Sequence, residues 1–208
     1  MWGWDPTPGI VSVWAALDGT ALVWRRDPHT RTLTREQARF RPWLLLDSLD
    51  DLAHLGARLG REGGLHAPVM YRELEGTGAL RYVVSAAHAD TLADAVCAGA
   101  SRRLGERINH VRDLDSASVF MLPPEEQYLV ATGRTYFRDL AFDDLQRLQF
   151  DLETTGLDAR HDRMFMVAVR TPDGVSHLLE ADDASDKAEA DLIRRLAAVV
   201  QLADPDAV

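Results

Sequence analysis

The chain of 208 residues is 46% hydrophobic and 27% charged, values that suit a globular protein with a real core and exclude disordered, collagen-like and coiled-coil chains. Its net charge is −10, with 17 arginines against 20 carboxylates up to residue 150 and six cations against 13 carboxylates beyond it, which excludes a broad basic field for gripping duplex DNA. One cysteine, Cys97, excludes an intramolecular disulfide and a thiolate-only zinc site.

No apolar run approaches the roughly 18 residues of a membrane span. The opening Met1-Trp2-Gly3-Trp4-Asp5-Pro6 lacks the basic and apolar regions of a secretory signal. The expectation is a protein of the reducing cytoplasm with no membrane partner. Arginine outnumbers lysine 22 to one, a bias that GC-rich coding explains more simply than phosphate recognition.

Residues 10–17 and 21–26 read as two strands around Asp18-Gly19-Thr20, a hairpin signal. Residues 42–46 form a short apolar strand. Leu52, Leu55 and Leu59 then recur at helical spacing after Ser48-Leu49-Asp50-Asp51, and Gly63-Gly64 ends that predicted helix. Residues 68–74 and 79–85 make a second hairpin. Residues 89–104 are a helix with Leu92, Val96 and Ala100 on one stripe, burying the Cys97 thiol. From residue 42 to about 120 the order is strand, helix, strand, strand, helix, strand, as in a ferredoxin-like or RRM-like sandwich.

Pro123-Pro124-Glu125-Glu126 opens a passage without clean periodicity, read as a linker or transition over 123–146. Tyr128, Tyr136 and Phe137 in it can stack on bases, though core packing is the commoner fate of such rings. Beyond it come strands over 148–152, 164–170 and 175–179, then an amphipathic helix over 186–202 capped by Ser185 or Asp186. Ala207-Val208 reads as the start of another buried strand, so the fold is expected to be unfinished there. The fold class is α/β (α+β): a mixed β and ferredoxin-like domain over 1–122, then an incomplete domain over 147–208.

Asp151-Leu152-Glu153-Thr154-Thr155-Gly156-Leu157 carries the chemistry. Side chains alternate along a strand, so Asp151 and Glu153 share one face and Leu148, Phe150 and Leu152 the other. Two carboxylates so close repel unless a cation lies between them. Hard oxygen ligands beside a tight turn suit Mg²⁺ or Mn²⁺ bridging to a substrate phosphate. A solvated strand end would explain each acid separately. The five specified positions together arise by chance in about one such chain in ten thousand.

This string resembles the first motif of the DEDD 3′–5′ exonucleases, which share a ribonuclease H-like fold. The approach to it, Tyr128–Phe137 and then Asp143-Asp144-Leu145-Gln146-Arg147-Leu148-Gln149-Phe150-Asp151, resembles the start of the exonuclease domain of bacterial family B DNA polymerases. The resemblance covers residues 125–208 well and the first 120 only in size and order. It implies that Asp151 and Glu153 are catalytic carboxylates and ligands of a two-metal Mg²⁺ or Mn²⁺ site. It further implies that Thr154, Thr155 and Gly156 lie along the terminal nucleotide of a single-stranded DNA 3′ end, with Leu157 against its base. The family's second and third carboxylate motifs do not occur in residues 151–208. The resemblance therefore implies a fragment inactive by itself, partnered by the remainder of a polymerase chain.

Two other readings stand beside this one. The chain can be a non-catalytic nucleic-acid-binding or docking module working through residues 42–120, or a stand-alone phosphodiesterase acting on RNA or small oligonucleotides. His161 and Asp162 read as loop rather than as a catalytic pair. His54, His66, His88 and His110 show no ligand spacing, and Arg102-Arg103 and Arg194-Arg195 read as solvated helix faces.

Overall fold

The computed structural model describes residues 3–158 and 160–208, and its fold is mixed α/β with three sheets. It divides into two compact units, one of residues 3–27 and 31–138, the other of 28–30 and 139–208. Among the described residues no helix is long and apolar enough to cross a membrane.

The first unit opens with an antiparallel meander of β1 (Ile10–Ala15), β2 (Thr20–Arg26) and β3 (Leu33–Arg39), in that order across the sheet. The turn before β2 is closed by the Asp18 carboxylate, which accepts the Thr20 amide at 2.8 Å. Gly19 sits there at φ +78°, with Phe40 O so near that a β-carbon would fall 2.3 Å from it. Its core gathers Ile10, Val13, Ala15, Ala21 and Val23 around Tyr128. β3, Leu-Thr-Arg-Glu-Gln-Ala-Arg, has no apolar alternation and escapes a hydrophobicity reading; backbone pairing to β2 along its whole length makes it a strand.

The chain then builds a five-stranded sheet from β4 (Trp43–Leu46), β5 (Leu59–Arg61), β6 (Val69–Glu73), β7 (Tyr82–Ala86) and β8 (Val119–Phe120). The order is β5-β6-β7-β4-β8, antiparallel except for β5 on β6. Without β5 this is the ferredoxin-like arrangement expected from the element order. Helix α1 (Ala89–Leu104) covers one face, burying Leu92, Val96 and Ala100 as its stripe requires, and ends at Gly105 with φ +72°.

The helix expected after residue 48 is corrected. Asp50–Arg58 is a 3₁₀ stretch with non-helical backbone at Gly56, and Leu59 begins strand β5 instead of continuing a stripe. Leu52 and Leu55 are nonetheless buried where the spacing placed them. The stretch lies so close to α1 that a β-carbon on Gly99 would fall 1.5 Å from Asp51 O.

The segment 123–146, read as a linker, is more ordered than that. It holds α2 (Pro124–Thr132), whose Tyr128 is wholly buried against the first sheet. Gln127, buried too, accepts the Trp43 amide at 2.8 Å and the Trp43 indole N–H at its carbonyl at 3.0 Å. A nine-residue helix anchored by two side chains leaves little periodicity to detect.

The second unit is an antiparallel sheet of β9 (Gln149–Thr154), β10 (Met164–Arg170) and β11 (Ser176–Glu180), ordered β11-β10-β9, with α3 (Asp186–Ala203) on one face. Ser185 Oγ accepts the Ala188 amide as the N-cap. Leu148, Val167, Val169 and Leu192 form the core. After α3, Ala207 makes a parallel bridge with Arg147, its carbonyl accepting the Leu148 amide at 3.0 Å.

Candidate functional site

Strand register decides what β9 shows. Phe150 pairs with Val169 and Leu152 with Val167, so both lie on the side of the sheet that carries the core, but on this edge strand they stay exposed. Asp151 pairs with Ala168 and Glu153 with Met166, which puts both carboxylates on the opposite face, exposed. Among the described residues neither has an ion-pair partner, and Asp151 Oδ1 accepts the amide of its neighbour Leu152 at 3.0 Å. The pair is a concentrated negative charge on an exposed strand face.

Register also adds residues that the motif alone did not. Glu180 pairs with Met166, so Glu153, Met166 and Glu180 form a row across three strands, the two glutamates about 9.5 Å apart at the backbone. Arg170 pairs with Gln149 and is the diagonal neighbour of Asp151. A hollow of about 230 Å³ beside the strand is lined by Asp151, Gln149, Ala168, Arg170 and Ser176. Period-two counting along the hairpin 164–180 was the signal available for Glu180 and Arg170; it needs the pairing register, which is set between strands.

The loop after β9 is closed by its own side chains. Thr154 Oγ1 donates to Gly156 O at 2.7 Å, and Thr155 Oγ1 accepts the Arg163 amide at 3.0 Å and donates to Asp162 at 3.2 Å. The Asp162 carboxylate also accepts the Asp158 amide at 2.8 Å and lies against Gly156. His161 and Asp162 form no pair: the His161 ring sits 2.9 Å from Asp158 instead. The Arg160 amide and then that ring hold the Asp158 carboxyl below its ordinary range. At the loop's exit Arg163 pairs with Asp186 and Glu189 in the first turn of α3, and the Met164 amide donates to Glu189 at 2.9 Å. Both threonine hydroxyls are thus engaged inside the loop, while the Leu157 side chain is wholly exposed.

Among the described residues no three His, Cys, Asp or Glu side chains gather to enclose a metal. What Asp151 and Glu153 offer fits a hard divalent cation that keeps most of its waters and shares the rest of its shell with substrate oxygens. A thiolate- or imidazole-bound metal is not served by this donor set.

No family model and no curated protein matches the sequence. A family B DNA polymerase shares the fold. That solved structure, from the hyperthermophilic archaeon Pyrobaculum calidifontis, superposes with a TM-score of 0.55 over 95% of this chain at 18% sequence identity. The match takes in 29% of the polymerase chain, so this chain spans less than a third of its neighbour's length. The likeness extends through both units, including the first 120 residues, where sequence gave only size and order to compare.

Proposed function

We propose that this chain is the N-terminal portion of a family B DNA polymerase and carries the first carboxylate motif of its 3′–5′ proofreading exonuclease. The observation that carries the reading is the exposed pair of Asp151 and Glu153 on one face of β9, with no ion-pair partner among the described residues, followed at once by a loop that presents Leu157 to solvent. The shared fold supports the polymerase half of it.

Asp151 and Glu153 would hold Mg²⁺ or Mn²⁺, which supplies Lewis acidity at a phosphodiester and lowers the pKa of a bound water. The chain's own residues do the positioning. Thr154, Thr155 and Gly156, tied by hydrogen bonds of the two threonine hydroxyls, lay their backbone along the terminal nucleotide. Leu157 covers the last base, and Arg170, diagonal to Asp151 and lining the hollow, supplies a cation for the phosphate. The substrate is a single-stranded DNA 3′ end, and the remaining carboxylates come from the rest of the polymerase.

Manganese tests the site directly. Titrating Mn²⁺ into the chain should broaden amide resonances of residues 150–157 before those of β7, and Asp151→Ala with Glu153→Ala should abolish the broadening. Broadening spread evenly over the acidic surface, unchanged in the double variant, would overturn the assignment.

A further inference from the structure

The β1-β2-β3 meander has one covered edge and one open edge. Along β1, the Phe137 amide donates to Ile10 O at 2.8 Å and the Ala15 amide donates to Glu125 at 3.2 Å. β3 is the other edge, and among the described residues no strand pairs with its far side.

Hydrogen-bond alternation fixes what β3 presents there. The Asp27 amide donates to Thr32 O at 3.0 Å at one end of the β2–β3 pair, and the Phe40 amide to Gly19 O at 2.9 Å at the other. The register between them is unbroken, so Thr34, Glu36 and Ala38 exchange bonds with β2. Arg35 and Gln37 fall in the alternate pairs, opposite Trp24 and Leu22. Their N–H and C=O groups therefore point off the free edge.

The side chains of Arg35 and Gln37 share the outer face of the sheet with Trp14, Leu22 and Trp24, away from the core around Tyr128. Gln37 ends the row of Trp14 and Leu22, and Arg35 ends the row of Trp24. Trp14 is half exposed. Arg35 is exposed, and among the described residues no carboxylate lies within ion-pair distance of it. Arg39 differs, being paired with Asp18 at 3.7 Å. The one carboxylate of the three strands, Glu36, points to the core side and pairs with Arg134. In a chain of net charge −10, this edge is cationic.

A second copy of the chain fits the edge badly. Antiparallel pairing of two β3 strands, in the registers of greatest overlap, sets Arg35 against Arg35, Arg35 against Arg39 or Glu36 against Glu36. Like charges directly opposite are destabilising, and charged edges are how sheets resist their own kind. A strand of opposite charge meets no such obstacle. Nucleic acid fits less well than a peptide, because it cannot continue a backbone ladder and its successive phosphates would meet a single unpaired guanidinium.

We propose that β3 accepts an extended acidic segment of a partner protein as a fourth strand, with a carboxylate opposite Arg35 and an apolar side chain opposite Gln37. Main-chain bonds to Arg35 and Gln37 give affinity, and the ion pair with Arg35 gives selectivity. The apolar side chain leans across Gln37 towards Leu22, the next residue in its row. The surface lies in the first unit, shares no residue with β9 and does not depend on the exonuclease reading.

The test uses the whole 208-residue chain with three fluorescein-labelled probes followed by anisotropy. They are the peptide Gly-Ser-Asp-Thr-Phe-Thr-Asp-Ser-Gly, its counterpart with lysine for aspartate, and a twelve-nucleotide oligothymidylate. The acidic peptide should bind at least tenfold more tightly than the lysine peptide. It should also slow hydrogen exchange at the Arg35 and Gln37 amides and leave those of β7 unchanged. Arg35→Glu should weaken the acidic peptide at least tenfold and admit the lysine peptide in its place. Gln37→Pro removes an N–H that β2 does not use, so the variant should fold and lose binding. Should it unfold, Arg35→Glu, altered at an exposed side chain, still decides. Arg103→Gln, whose guanidinium is paired with Asp51, should change nothing. Absence of acidic-peptide binding at millimolar concentration, equal binding of the two peptides, or binding that survives Arg35→Glu overturns the proposal. So does oligothymidylate binding that Arg35→Glu abolishes, with no protection of the two amides, which assigns the face to nucleic acid. Protection of those amides that rises with protein concentration without peptide assigns the edge to a second copy and overturns it too.

Discussion

Asp162 lies so close to Gly156 that a β-carbon on the glycine would stand 2.5 Å from the Asp162 carboxylate. That carboxylate also receives the Asp158 amide and the Thr155 hydroxyl, so one side chain staples the loop that follows the paired acids. Gly156→Ala must therefore push Asp162 off both partners. Each charge-assisted bond is worth about 1.5–3 kcal/mol. We expect faster amide exchange at Asp158 and Arg163 in Gly156→Ala, and no further change when Asp162→Ala is added. Additive effects of the two substitutions would show that they act separately.

A second expectation concerns catalysis by the chain alone. With two carboxylates on the β9 face and no larger donor cluster among the described residues, the 208-residue chain should not shorten 3′-labelled single-stranded DNA in Mn²⁺. Two-metal sites act as units, and missing members remove orders of magnitude. Sustained shortening that Asp151→Ala abolishes would refute this. In a polymerase-length polypeptide, Asp151→Ala with Glu153→Ala should remove proofreading and leave polymerisation largely intact, as measured by mismatch removal and primer extension.

A third follows from Arg134. Its guanidinium donates to Asp5 at 2.9 Å, pairs with Glu36 and donates to the buried Tyr128 hydroxyl at 2.7 Å. The Thr7 hydroxyl, and next Arg134, lower the Asp5 pKa to about 2. A carboxyl held below its ordinary value of 3.8 adds stability that is complete above about pH 4 and lost as pH falls towards 2. Thermal midpoints should fall over that window, and the fall should be shallower in Asp5→Asn. Arg134→Ala should cost about 2 kcal/mol at neutral pH, read from urea unfolding, because Tyr128 and two carboxylates lose a partner together.

A fourth probes the contact between α1 and the 3₁₀ stretch. Gly99→Ala would drive a methyl into Asp51 O, a backbone atom that cannot swing aside. The loss should be about 3 kcal/mol, at the upper end for overpacking. A urea midpoint equal to that of the parent would mean that α1 can slide.

Among the elements that periodicity marked, those that bury a regular face are α1 over 89–104, β10 through Val167 and Val169, and α3 with Leu192 at its centre. β3 was invisible because its pairing is carried by backbone groups and its side chains are polar. The stretch after residue 50 kept its buried leucines yet abandoned the α-helix, because Gly56 breaks it and β6 offers Leu59–Arg61 a parallel partner. At the site, Asp151 and Glu153 announced themselves by spacing within one strand. Glu180, Arg170 and the Asp162 staple depend on register or on a loop's folding back. Such meetings leave no local pattern.

The first sheet is completed by α2, whose Tyr128 closes a core begun at Ile10. Between β3 and α2 the chain builds the whole five-stranded sheet, entering through β4 and leaving through its hydrogen-bonded neighbour β8. During synthesis, β1 to β3 leave the ribosome with their apolar face uncovered until residue 132 has followed. At elongation rates of about 5–20 residues per second, that interval lasts about 5–20 seconds. Because its two ends meet in adjacent strands, the intervening module can fold in that time without disturbing the waiting sheet. The nascent chain's period of greatest exposure to aggregation is therefore set by the length of an insertion, a quantity that no contact in the finished protein records.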